Sequence, residues 1–138
     1  MKGLEVIGSY LDEWNIVTIT VRLILAVVCG GAIGLTRSVK RRGAGFKTHA
    51  LVCLGSALVM MTGQYIYVDF GAISDIARLA AQVISGVGFL GVGTIMVTRD
   101  NHVKGLTTAA GLWTCAGIGL VSASAFIVVQ RSRRSWYW

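Results

Sequence analysis

The chain contains no proline among its 138 residues, so no helix in it is forced to kink by that route. Charge is scarce as well: Asp, Glu, Lys and Arg make up 14% of the residues, well below the roughly 25% usual in soluble domains. Only six residues are acidic, namely Glu5, Asp12, Glu13, Asp69, Asp75 and Asp100. The three cysteines, Cys29, Cys53 and Cys115, each lie within an apolar run, and no CxxC or Cys/His cluster exists. Neither a disulfide framework nor a metal site is expected from them, and they read as small packing residues. No acid stands beside a histidine in an apolar run and no nucleophile elbow occurs, so catalysis has no visible machinery and no cofactor is implied. The net charge of +7 comes from basic residues grouped in short segments between apolar runs. That grouping suits membrane topology rather than a nucleic-acid face.

Long apolar runs fill the rest. Hydrophobic residues are 54% of the chain and the mean hydropathy is +0.69. About 20 apolar residues cross a bilayer as a helix, and four such runs occur, at 15–35, 49–68, 76–97 and 106–129. The first is too long for a signal-peptide core and follows acidic residues, so it reads as a retained helix. Cys53 to Met61 and Val83 to Val97 carry no charge on any helical face. Helices of this kind must face lipid or be fully buried, and a chain this short cannot bury four of them. The runs do not alternate with a period of two, which excludes a transmembrane β-barrel. The expected fold is all-α, a single polytopic transmembrane bundle of about four spans.

Loop charge orients the spans. Residues 36–48 hold Arg37, Lys40, Arg41, Arg42 and Lys47 with no acid, and should face the cytoplasm. The next connection holds Asp69 and Asp75 and should lie outside. Residues 98–105, with Arg99 and Lys104 against Asp100, return inside. The acidic N-terminus then belongs outside. Four spans would put the C-terminus outside too, yet residues 130–138 form a basic, aromatic tail: Arg131, Arg133 and Arg134, then Trp136, Tyr137 and Trp138. The tail's charge points to the cytoplasm, in conflict with that count.

Glycine is abundant, with 18 residues. Gly30 and Gly34 form a GxxxG pair, Ala26 extends it, and Ala77, Ala81 and Ser85 make a second small-residue stripe. Gly86, Gly88, Gly91 and Gly93 crowd the third run. The formal GxGxxG match there lacks the strand, the downstream acid and the polarity of a dinucleotide site. Close helix packing is one reading of the glycines. A broken helix lining a cavity is the other.

Polar groups at membrane depth are the functional candidates. Arg22 lies well inside the first run, where it either finds a partner or snorkels to the headgroups. Arg78 and Gln82 share a helix face, Asp75 stands one turn before Arg78, and Ser74 is the expected N-cap of that helix. Arg22, Arg78 and Gln82 could form one anion-attracting pocket toward the outer side. At the inner side Arg37, Lys47, His49, Asp100, Asn101 and His102 gather, with Thr107 and Thr108 opening the fourth helix. They are either a second constellation or ordinary solvated loops and caps.

Three stretches resemble the signatures of the MgtC/SapB family of bacterial inner-membrane proteins. The first is Gly31-Ala-Ile-Gly-Leu35 followed by Ala44-Gly-Phe-Lys-Thr-His-Ala-Leu-Val-Cys-Leu-Gly55. The second runs from Asp75 to Gly93. The third is Val103-Lys-Gly-Leu-Thr-Thr-Ala-Ala-Gly-Leu-Trp113, ending in Ala116-Gly-Ile-Gly-Leu120. Together they cover roughly residues 22–120 in order. The resemblance implies a multi-pass protein of the bacterial inner membrane, linked to growth or survival under magnesium limitation and to virulence. It implies action by binding and regulating other membrane proteins such as ATP synthase. Where the family usually has an acid before the arginine, this chain has Thr36, which removes a carboxylate beside Arg37. The family also continues into a fifth hydrophobic segment, so the basic tail reads as a truncated or frame-altered end.

Two functions compete. One is a regulatory membrane protein whose partners are lipid, other membrane proteins or its own copies. The other is an ion or small-solute transporter. Magnesium favours carboxylate and water oxygens, and no acid lies within an expected span, so magnesium selectivity has little physical basis.

Overall fold

The structure, a computed structural model, describes residues 15–40, 43–70, 75–98 and 102–134, without the side chains of 68–70 and 125–134. Backbone polar groups have no water to bond to in a bilayer, so an apolar run satisfies them by coiling on itself. Among the described residues four helices result: α1 (Ile16–Val39), α2 (Phe46–Phe70), α3 (Ile76–Gly93) and α4 (Leu106–Arg134). Each is long and apolar enough to cross a membrane. At 18 residues, α3 is the shortest, about 27 Å at 1.5 Å per residue.

Local chemistry sets the ends. The Phe46 N–H at the start of α2 donates to Ser38 Oγ at 2.8 Å, which ties α2 back onto the last turn of α1. Asp75, not Ser74, caps α3: its Oδ1 accepts from the backbone N–H of Ala77 at 3.0 Å and of Arg78 at 3.3 Å. A carboxylate serves this position well because it also meets the positive end of the helix dipole. The third apolar run was expected to continue as helix to Val97. The helix stops at Gly93, where Thr94 Oγ1 donates to the Gly91 carbonyl at 2.8 Å. Beyond it, Met96–Val97 (β1) pairs antiparallel with Val103–Lys104 (β2), in register Met96↔Lys104 and Val97↔Val103. Gly105 joins this hairpin to α4 with φ +98°, and a Cβ there would strike the Thr94 carbonyl. Gly105→Ala should therefore cost about 1–3 kcal/mol and make the hairpin the first segment cut in limited proteolysis.

The bundle is held at close range by small residues. One core cluster joins Ala26, Cys53, Ala57, Met61, Cys115 and Ala123; another joins Ala44, Val87, Leu112 and Ala116. Lipid tails are as apolar as leucine, so association depends on close packing rather than on a hydrophobic drive. Large apolar side chains point outward instead, among them Ile16, Val28, Leu51, Phe89 and Val121. Gly30 and Gly34 pack as the close-approach reading expects: a Cβ on Gly30 would lie 2.7 Å from Cys53 Cβ, and one on Gly34 would lie 2.6 Å from Phe46 Cα. Gly91 rests against Ala109, 3.5 Å from where its Cβ would be. At Gly86, Gly88 and Gly93 an added Cβ would meet no described atom within 4 Å, and all three are exposed. Ala77, Ala81 and Ser85 are exposed too, so the small-residue side of α3 is not used inside this chain.

Candidate functional site

Two groups of polar residues sit inside the bundle. Both follow from how the helices run: α1 is antiparallel to α2, and Gly30 lies level with His49, Ala50 and Cys53. α4 is parallel to α2, with Gly111 against His49 and Gly119 against Cys53 and Ser56.

The first group lies toward the end carrying the α2–α3 connection. Arg22 is 7% exposed, and its Nη1 donates to the Ala123 carbonyl of α4 at 3.1 Å. The side chain crosses the bundle interior rather than snorkelling outward, so it bridges α1 to α4. Thr18 lies one turn further along α1 and is buried as well. Gln64 of α2 is 1% exposed, and among the described residues neither its Oε1 nor its Nε2 meets a hydrogen-bond partner. A buried amide with both ends unsatisfied is costly, on the order of 1–3 kcal/mol per group.

Arg78 and Gln82 do not join this group. Both are exposed on α3, so the expected pocket of Arg22, Arg78 and Gln82 does not form. Helical geometry put Arg78 and Gln82 on one face, but that face turns away from α1. Asp75 spends its carboxylate on the α3 cap, and meets Arg78 through the backbone N–H rather than the guanidinium.

The second group lies at the hairpin end. His49 is fully buried; its Nδ1 bonds the Gly45 carbonyl at 2.9 Å. A proton on Nδ1 leaves Nε2 as an acceptor, and among the described residues this atom meets no partner. It points at α4, where a Cβ on Gly111 would lie 3.2 Å away. Glycine at 111 thus makes room for the imidazole. Arg37, half-buried in the last turn of α1, donates from Nη2 to Thr108 Oγ1 at 3.5 Å. Thr108 is buried and Thr107 exposed; Lys47 and His102 are exposed. Asp100 and Asn101 lie outside the described residues. Among the described residues, no three His, Cys, Asp or Glu side chains converge as metal ligands would. The cysteines are free, with Cys53 and Cys115 buried in the core.

Gln64 was missed in the sequence. Its signal in the sequence is an amide inside an apolar run, Gln64 standing seven residues after Ala57. His49, in the first turn of α2, is turned into the bundle rather than toward solvent.

Four membrane-length helices around a core of small and polar residues define a polytopic helical membrane protein. The chain belongs to the MgtC family, whose model matches residues 23–130. It is 46% identical over 108 residues to YhiD of Escherichia coli (strain K12), a match covering 75% of this chain and 50% of that protein. It is 42% identical over 99 residues to Protein MgtC of Salmonella typhimurium (strain LT2), covering 72% and 40% respectively. An uncharacterised protein of Haemophilus influenzae is 40% identical over 111 residues, covering 77% and 47%. The chain therefore spans about half, or less, of the relatives it matches. No solved structure matches it.

Proposed function

We propose that this chain is a non-enzymatic regulatory protein of the bacterial inner membrane that acts in adaptation to low magnesium or in virulence by lateral contact with other membrane proteins, ATP synthase among them. The observation that carries this reading is an open apolar groove between α2 and α3. It has a volume of about 510 Å³ and is lined by Leu51, Gly55, Val59, Val83, Gly86 and Leu90. A Cβ on Gly55 or Gly86 would meet nothing within 4 Å, so another helix can approach the backbone there, as small-residue membrane interfaces require. The family membership supports the same reading.

The test is site-specific photo-crosslinking from Val59 in native membranes. The expected result is capture of a membrane partner such as an ATP synthase subunit, lost in a Gly55→Leu/Gly86→Leu variant that still folds. Capture of nothing but other copies of this chain would overturn the proposal.

Transport of an ion or small solute is a second reading, favoured by the unsatisfied Gln64 amide inside the bundle. The YhiD relative carries a provisional magnesium-transporter name. Proteoliposomes should then show solute flux that falls at least ten-fold in Gln64→Leu; flux equal to that of empty vesicles would exclude this reading.

A further inference from the structure

At the hairpin end, α1, the residues following it, the hairpin and the first turn of α4 enclose a cavity of about 560 Å³. Arg37, Lys40 and Lys104 all line it, and among the described residues no acidic side chain does. Thr107, Thr108 and Gly105 complete one wall. These residues open α4, whose first-turn N–H groups have no acceptor within the helix and whose first turn holds no acid. The Arg37 guanidinium has five donors and gives one to Thr108 Oγ1. Its fork can therefore serve a second acceptor as well.

We propose that this cavity is a binding site for a phosphate group, carried by an anionic phospholipid headgroup or by a soluble phosphate. Several independent features converge on that chemistry. Three cations from two separated stretches of chain meet in one concavity, where like charges repel unless an anion lies between them. The cavity lies at the end of a 29-residue helix, whose dipole is positive at that end. Gly105 keeps the helix start free of a side chain, and two threonine hydroxyls can donate to phosphate oxygens. The C-terminus of α1 also reaches this end, and Arg37 and Lys40 offset its partial negative charge. The volume admits a phosphate with a small substituent such as glycerol, and the cavity lies at the ends of α1 and α4, both long and apolar enough to cross a membrane.

The site is tested with the whole chain, purified and delipidated in neutral detergent. Binding is measured calorimetrically against micelles doped with phosphatidylglycerol, against micelles doped with phosphatidylcholine, and against inorganic phosphate. Phosphatidylglycerol binding without phosphate binding assigns the site to a lipid headgroup, and saturable inorganic phosphate binding assigns it to a soluble phosphate. In either case Lys40→Gln/Lys104→Gln should weaken binding roughly twenty-five-fold, at about five-fold per cation removed. Both lysines are exposed, so the fold should survive their neutralisation. Lys47→Gln, outside the cavity, should bind as the unaltered chain does. Preference for neither anion over phosphatidylcholine, or equal weakening by Lys47→Gln and the double variant, would overturn the proposal.

Discussion

Gly119→Val should force α2 and α4 apart and destabilise the bundle strongly. A Cβ at residue 119 would overlap the Cys53 carbonyl oxygen and lie 2.8 Å from Ser56 Cβ. Neither neighbour can yield easily, since one is helix backbone and the other is fixed to it. The α2 and α4 backbones would have to separate, opening the cluster that holds Cys53, Ala57 and Cys115. Overpacking of a tight core costs typically 1–3 kcal/mol, and a backbone clash on two fronts should reach about 3 kcal/mol or more. The matched control is Gly117→Val two residues earlier, where a Cβ meets nothing within 4 Å; its cost should stay within about 0.5 kcal/mol. Unfolding in mixed micelles with rising SDS compares the two. Equal midpoints would show that α2 and α4 do not pack at this register.

Truncation of Arg22 should be the second large effect, and its size should depend on what replaces it. Arg22→Ala removes the 3.1 Å bond to the Ala123 carbonyl and leaves a void where a long side chain lay between α1 and α4. Void and lost bond together predict a loss of about 2–4 kcal/mol. Arg22→Met fills most of the same volume without a charge to desolvate, and replacing a buried charge by a hydrophobe of similar size is often neutral. Its unfolding midpoint should therefore stay within about 1 kcal/mol of the unaltered chain. If Met and Ala destabilise equally, the guanidinium's bonds rather than its bulk hold α1 to α4.

The helices were legible because their cause is local. Backbone groups in an apolar run have one way to be satisfied in lipid, and that argument needs no knowledge of neighbours. The end of α3 was not legible. Thr94, Ile95, Met96 and Val97 are apolar or nearly so, and nothing in their hydropathy separates helix from the short β1 strand. The hairpin with Val103–Lys104 draws them away, and that pairing joins residues across a loop. The candidate site was half legible. Arg22, His49, Arg37 and Thr108 were singled out by polarity in or beside apolar runs, and all four line the interior or its mouth. Arg78 and Gln82 carried the same signal and lie outside, while Gln64 went unnoticed and is buried.

The same division holds for the glycines. Gly30, Gly34, Gly86 and Gly93 look alike in sequence, as small residues at helical spacing. The first two meet α2 and the start of its helix; the last two meet nothing. By itself the sequence determined that the chain carries membrane-length helices and that it belongs to the MgtC family, because both depend on composition and on order along the chain. Only the tertiary structure decided which face of each helix turns inward. In lipid an apolar residue gains little by choosing either side. The choice rests on shape, on whether a Cβ would collide with a neighbouring backbone or meet open space, and shape exists only once the helices are together.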